Sequence, residues 1–335
     1  MTKLSTSLSF FSKNRLFLEI LIKFSIVNIR RIIKFMTTGI SDLTYWRLSK
    51  QTYKIKQPEV YKINIGDRKE EWKMIKKPSN PETGFDATVY KNRNEIIIAY
   101  RGTEGNDPLG RGVKDFKTDV DHVALKEGVF NHNKDNQFLE ALDLAAEIKH
   151  AYPKANITTT GHSLGGALAS FVAAILRLKA VTFSTPSVID LLPDNIKADA
   201  EKGKFDKDII NYIDPRDSIG AGALRAYTRH IGATYMIGSR YEIANADKKN
   251  SPFDRFRDTL NIYHSPDRYK FDMNGNLKAA ILTNMLTNKE LMYSPRYLGE
   301  GSEIKINPGE LLHHAEELKG RISEVEMTHQ EVVVS

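Results

Sequence analysis

The stretch of the chain best suited to chemistry is Gly161-His162-Ser163-Leu164-Gly165, a G-x-S-x-G pattern. A serine hydroxyl is a weak nucleophile until a neighbouring base takes its proton and fixed N–H groups receive the charge that develops on the attacked carbonyl. The spacing suits that task. Glycines two residues before and after the serine let the chain turn sharply between a strand and a helix without side-chain collisions. The helix that follows aims its first N–H groups at the developing negative charge. Gly166-Ala167-Leu168-Ala169 continue with small residues, which allow that helix to lie close to a sheet. His162 sits inside the turn, where packing or structural support suits it better than proton transfer. In folds that use such a turn, the partners follow in the order serine, acid, histidine.

The elements that would position these groups can be read from periodicity. Residues 41–60 read as a helix followed by extended polar chain, with Trp46 and Tyr53 as packing residues. From about Glu59 to Lys77 the pattern alternates weakly, as edge strands do. Asp86–Tyr90 and Glu95–Tyr100 are strand-like with a turn at Lys91–Asn94, and Ile96-Ile97-Ile98-Ala99-Tyr100 suits a strand buried on both faces. Asn136–Tyr152 carries an apolar stripe at Phe138, Leu142, Ala145, Ile148 and Tyr152, and Pro153 ends it. A strand (Asn156–Thr160), the serine turn, a helix (about Gly165–Leu178) and two further strands (Ala180–Ser184 and Asp208–Ile213) follow. Strands alternating with helices predict an α/β fold with a mostly parallel central sheet and helices on both faces.

Three blocks in this order resemble the class 3, fungal-lipase-like family of α/β-hydrolases. They are Ile96-Ile97-Ile98-Ala99-Tyr100-Arg101-Gly102-Thr103, Ile157 through Ala169 around the serine, and Ala180-Val181-Thr182-Phe183-Ser184-Thr185-Pro186. The likeness spans roughly residues 86–270. It implies an acyl-ester hydrolase of the lipase or phospholipase A type that works through a Ser-Asp-His triad and an acyl-enzyme, with no cofactor and no metal. It makes Ser163 the nucleophile and Thr103, after Arg101-Gly102, one oxyanion donor; the backbone N–H of Leu164 would be the other. The acid lies in Ile209–Ile219, where the family context picks Asp217, with Asp214 the runner-up and otherwise a turn residue before Pro215. Five histidines lie beyond Asp217: His230, His264, His313, His314 and His329. The run Asn261–Tyr269 resembles the family's histidine region, which makes His264 the expected base, delivered by a loop after a strand-like run. His230 is the runner-up, and His313 and His314 read as solvated.

Composition narrows the remaining classes. The chain has no cysteine, which excludes disulfides, thiol nucleophiles and Cys-ligated metal. Of the net charge of +7, residues 1–35 carry +6 and the rest about +1, so charge gives a nucleic-acid role no support. Residues 1–35 form a basic amphipathic extension, too interrupted by charge for a membrane span or a Sec signal. It reads either as a membrane-surface helix or as sequence ahead of a true start at Met36. Glu104–Gly112 is more polar than a lid that opens on oil, which weakens a triacylglycerol reading. Residues 220–258 form a second candidate cap, with Leu224, Tyr227, Ile231, Tyr235 and Met236.

After a body at 36–300, residues 301–335 form a helical tail. Leu311, Ala315, Leu318, Ile322 and Val325 repeat in a short heptad seam behind Asn307-Pro308, a helix-start signal. The tail resembles the opening of the LXG-type helical modules of type VII secretion substrates, which implies a helical partner protein at residues 308–327. The plainer alternative is a helix docked on the enzyme's own surface. The tail likeness and the lack of cysteine favour export by a non-Sec route over the cytoplasm. Two other functions stay open: a small-ester esterase or thioesterase, and a non-catalytic interaction module bound through its tail.

Overall fold

A computed structural model describes residues 39–102, 137–221, 229–239, 241–244, 258, 262–279, 282–286, 290–291 and 296. Residues 41–296 form one compact unit. The basic extension, the tail with its partner surface, the polar lid segment 104–112 and the tip of the second cap around Leu224 and Tyr227 lie outside the described residues.

One mixed sheet organises the unit, in the order β1-β2-β4-β5-β6-β7-β8-β9-β10-β11, with β3 (Ser79–Asn80) pairing on β4. Its centre is parallel and comprises β5 (Glu95–Tyr100), β6 (Asn156–His162), β7 (Lys179–Phe183), β8 (Ile209–Ile213) and β9 (Ala233–Ile237). Antiparallel strands extend it on both sides. On one side are β1 (Val60–Ile65), β2 (Arg68–Lys76) and β4 (Phe85–Asn92); on the other are β10 (Leu282–Asn284) and β11 (Glu290–Leu291). The β4–β5 hairpin closes more tightly than the sequence suggested. Pairing continues to Asn92 and Glu95, leaving a two-residue turn with Arg93 at φ +53°.

Strands are added in one direction from β5 to β9, so right-handed crossovers put the connecting helices on a common face. There α2 (Gln137–Ala151), α3 (Leu164–Leu176) and α4 (Asp194–Glu201) cover the sheet, and Ile96, Ile98, Tyr100 and Ile157 face them across the main core. The opposite face is covered by α1 (Asp42–Gln51). The Tyr45 hydroxyl donates to Thr158 Oγ1 at 3.1 Å, and Thr160 lies under the Tyr45 carbonyl. β5 is buried from Ile96 to Tyr100, as an unbroken apolar run between two helical layers should be.

Two expectations need correction. The buried stripe of α2 is Phe138, Ala141, Leu144, Ala145 and Ile148; Leu142 and Tyr152 pack against the same core but are only partly buried. The supposed cap between 220 and 258 contains a core strand. Ile231, Tyr235 and Met236 are buried on or beside β9, which extends the sheet beyond β8. It is buried from Ala233 to Met236, so it lacks the alternation that would have marked it as a strand.

Candidate active site

β6 ends at His162, and α3 begins at Leu164. Ser163 between them adopts φ +59° and ψ −130°, a strained conformation for a residue with a side chain. Three neighbours hold it there. Ser163 N–H donates to the Phe183 carbonyl of β7 at 3.0 Å. A Cβ on Gly161 would meet the Gly165 carbonyl at 2.2 Å, and one on Gly165 would meet the Tyr100 carbonyl of β5 at 2.2 Å. The G-x-S-x-G spacing is thus dictated by the turn folding back on itself and against the next strand. Among the described residues the buried Ser163 hydroxyl has no hydrogen-bond partner, an arrangement that costs stability and suits a group kept for another task. Leu164 occupies the first position of α3, where a backbone N–H has no acceptor within the helix. Thr103 lies outside the described residues, which end on this side at Gly102.

Asp217 and Asp214 both follow β8 and are both buried, yet they have different partners. His264 Nδ1 lies 2.9 Å from Asp217 Oδ2, while Asp217 Oδ1 accepts the Ile219 N–H at 3.0 Å. Burial would push the Asp217 carboxyl up. The adjacent His264, with main-chain N–H groups of Gly220 and Ile219, outweighs it and holds the carboxyl below the usual aspartate value. Asp214 instead accepts from Arg268, Nε at 3.0 Å and Nη2 at 2.6 Å, and from the Arg216 N–H at 2.9 Å. His230 is buried elsewhere, its Nε2 2.8 Å from the Thr185 carbonyl after β7. His313, His314 and His329 lie outside the described residues.

The loop carrying His264 is pinned from several directions. It leaves a helical turn at 262–263 rather than the strand-like run the sequence suggested. Trp46 Nε1 of α1 donates to the Pro266 carbonyl at 2.8 Å, and Lys50 pairs with Asp267. Tyr269 donates its hydroxyl hydrogen to the Tyr212 carbonyl at 2.8 Å and receives Ser184 Oγ at 2.8 Å. His162 Nε2 lies 2.8 Å from the His264 carbonyl. A carbonyl can only accept, so Nε2 carries the proton and Nδ1 faces the Tyr53 hydroxyl, 3.3 Å away, as an acceptor. Burial and the neighbouring His264 push the His162 imidazole down to about 3. In the sequence Trp46 and Tyr53 read as packing residues, and Arg268 and Tyr269 fall in the histidine region without a role of their own. Only the run His264–Tyr269, read as one anchored loop, carried a signal for the latter pair.

Nucleophile candidate, acid–imidazole pair and an N–H-rich helix start all stand on the carboxyl edge of the sheet, after β6 and β8. This sheet, elbow and helix arrangement is that of the α/β-hydrolases. A family model for phospholipase-like proteins, described as a Tle-like phospholipase domain, matches residues 44–218, and the chain belongs to that family. The chain is also similar to a putative lipase, ATG15, of Eremothecium gossypii, with 47% identity over 53 residues, 16% of this chain and 10% of that protein. An extracellular phospholipase A1 of Serratia liquefaciens is 27% identical over 146 residues, 44% of this chain and 37% of that one. The chain thus spans between about a tenth and under two-fifths of the length of these curated relatives. Among solved structures, a triacylglycerol lipase from Penicillium expansum aligns at 15% identity with a TM-score of 0.38, covering 59% of this chain and 82% of that one.

Proposed function

We propose that the chain hydrolyses acyl esters of phospholipids as a phospholipase A-type serine esterase, with Ser163 as nucleophile, His264 as base and Asp217 as the acid that orients it. The observation that carries this reading is the 2.9 Å contact between His264 Nδ1 and buried Asp217, beside a serine held at φ +59° in a strand-to-helix turn. His264 Nδ1–H donates to the carboxylate, which leaves Nε2 to take the serine proton as Oγ attacks the ester carbonyl. The N–H of Leu164, with Thr103 as second donor, would receive the oxyanion, each such donor contributing about 2.7–4 kcal/mol to transition-state stabilisation. His264 then protonates the leaving alcohol, and water, activated by the same imidazole, releases the fatty acid. The family and the phospholipase A1 relative favour a phospholipid over a neutral-oil substrate.

The test is fatty-acid release from phosphatidylglycerol, phosphatidylcholine, triacylglycerol and short p-nitrophenyl esters, wild type against Ser163→Ala. Release from phospholipid that vanishes in the variant supports the reading. Activity confined to short esters would make the chain a simple esterase, and no release by folded wild type would leave a non-catalytic interaction module. We further propose that catalysis resides in residues 36–300 and that the tail binds a helical partner through 308–327. Deleting residues 303–335 should spare hydrolysis and abolish partner capture; loss of folding would mean that the tail docks on the enzyme itself.

A further inference from the structure

The sheet's carboxyl edge, where the candidate site lies, also carries an exposed apolar tip set among lysines. β2 runs parallel to β5, since each is antiparallel to β4, so Lys77 just beyond β2 stands on the same edge as Ser163. Its Nζ reaches the Ile55 carbonyl at 3.4 Å. Ile55 follows α1 by four residues, and Tyr53, two residues before it, touches His162 of the elbow. The Ile55 side chain is 90% exposed, the most exposed large apolar side chain among the described residues. Lys54 and Lys56 flank it, both exposed and neither in an ion pair among the described residues, and Glu59 is the one acid between residues 53 and 60. Ile262, two residues before His264, is a second exposed apolar side chain near the site.

We infer that Lys54-Ile55-Lys56, with Lys77, is a docking tip that inserts Ile55 into an anionic lipid surface and so turns the site toward its substrate. The inference rests on the reading of the site as a lipid-ester hydrolase. Charge complementarity selects the occupant. An isoleucine standing free in water beside three cations suits the boundary between acyl chains and anionic headgroups, where the apolar tip is buried and the lysines stay at headgroup level. The contrast lies at the opposite edge. Met273, beside the β1–β2 turn at Gly66, is 77% exposed but follows an acid, Asp272.

The chain lacks cysteine, so a single one reports on a single position. Full-length protein carrying Ser163→Ala and either Ile55→Cys or Met273→Cys is labelled with a polarity-sensitive fluorophore and mixed with phosphatidylglycerol or phosphatidylcholine vesicles. Phosphatidylglycerol should shift the label at 55 to the blue, phosphatidylcholine should do so far less, and the label at 273 should stay unchanged. Adding Lys54→Gln and Lys56→Gln should weaken vesicle binding about fivefold per lysine. Three results would each overturn the inference: an unshifted label at 55 while the protein sediments with anionic vesicles, no sedimentation at all, or a lipid-independent shift that grows with protein concentration and so marks contact between copies. Failure of the hydrolase reading would appear separately, as absent fatty-acid release by the wild type.

Discussion

His162 donates its Nε2 hydrogen to the main-chain carbonyl of His264 across 2.8 Å, and the two imidazole rings lie with centroids 4.9 Å apart. The residue next to the candidate nucleophile therefore grips the backbone of the candidate base. Asp217 holds the same histidine by its side chain. Backbone and ring of His264 are fixed by different neighbours, one from the end of β6 and one from the turn after β8.

The two aspartates after β8 should separate cleanly on substitution. Asp217→Asn removes the carboxylate that orients and stabilises the imidazolium, and kcat should fall by roughly 10³–10⁴-fold with little change in KM. Asp214→Asn weakens the bond from Arg268 and should cost about 1–3 kcal/mol of stability while lowering activity less than tenfold. Ester kinetics and urea unfolding of both variants decide the matter. A larger kinetic loss at position 214 would reverse the assignment.

Stability should fall with acid in a window set by His162. Its folded value of about 3 lies below the ordinary 6.5, so between those limits the unfolded chain binds a proton that the folded chain refuses. The contribution is whole above pH 6.5 and declines as pH drops, at up to roughly 1.4 kcal/mol per pH unit. Asp217, held below 3.8, adds its own loss further down. Urea midpoints of wild type and His162→Gln at pH 8, 6 and 5 should converge as pH falls. Curves that remain parallel would assign the acid sensitivity to other groups.

Gly165→Ala should be severe, although it adds one methyl group. That Cβ would sit 2.2 Å from the Tyr100 carbonyl, a backbone atom of a buried strand that cannot yield. A loss of about 3 kcal/mol or more, or failure to accumulate soluble protein, is expected from calorimetry and expression yield. Near-wild-type melting would show that α3 can slide away from β5.

Arg296 should mark how short the catalytic body can be made. It pairs with the buried carboxylate of Asp42, which also accepts the Leu277 N–H at 3.0 Å, and its guanidinium lies 4.8 Å from the Tyr45 ring centroid. Arg296→Ala should cost about 3–5 kcal/mol, because it removes one partner of an ion pair whose carboxylate is fully buried. A chain ending at 300 should melt near the full-length temperature, whereas one ending at 295 should not.

Much of this arrangement was legible from residue types. Ile96–Tyr100 fitted a strand covered on both sides, and Gly161–Gly165, set between a strand and a helix, fitted a tight turn. The pairing of His264 with Asp217 rather than Asp214 was readable through likeness alone, since each aspartate follows the same strand and differs only in which later residue reaches it. β9 was missed because it is only five residues long, lies between Gly232 and Gly238, and is buried from Ala233 to Met236, so it shows no alternation to read. Trp46 and Lys50 gave no sign that they hold a loop more than two hundred residues away, since a hydrogen bond to a remote carbonyl leaves no mark on local periodicity.

The Ser163 amide is tied to β7, and Gly165 is wedged against β5, so the elbow is clasped by both neighbours of its own strand. To expose that amide to solvent, the parallel centre of the sheet must separate. In deuterium exchange, the residue expected to be most reactive chemically should therefore be among the slowest to exchange its backbone hydrogen, reporting global unfolding while the loop at His264 opens by smaller motions.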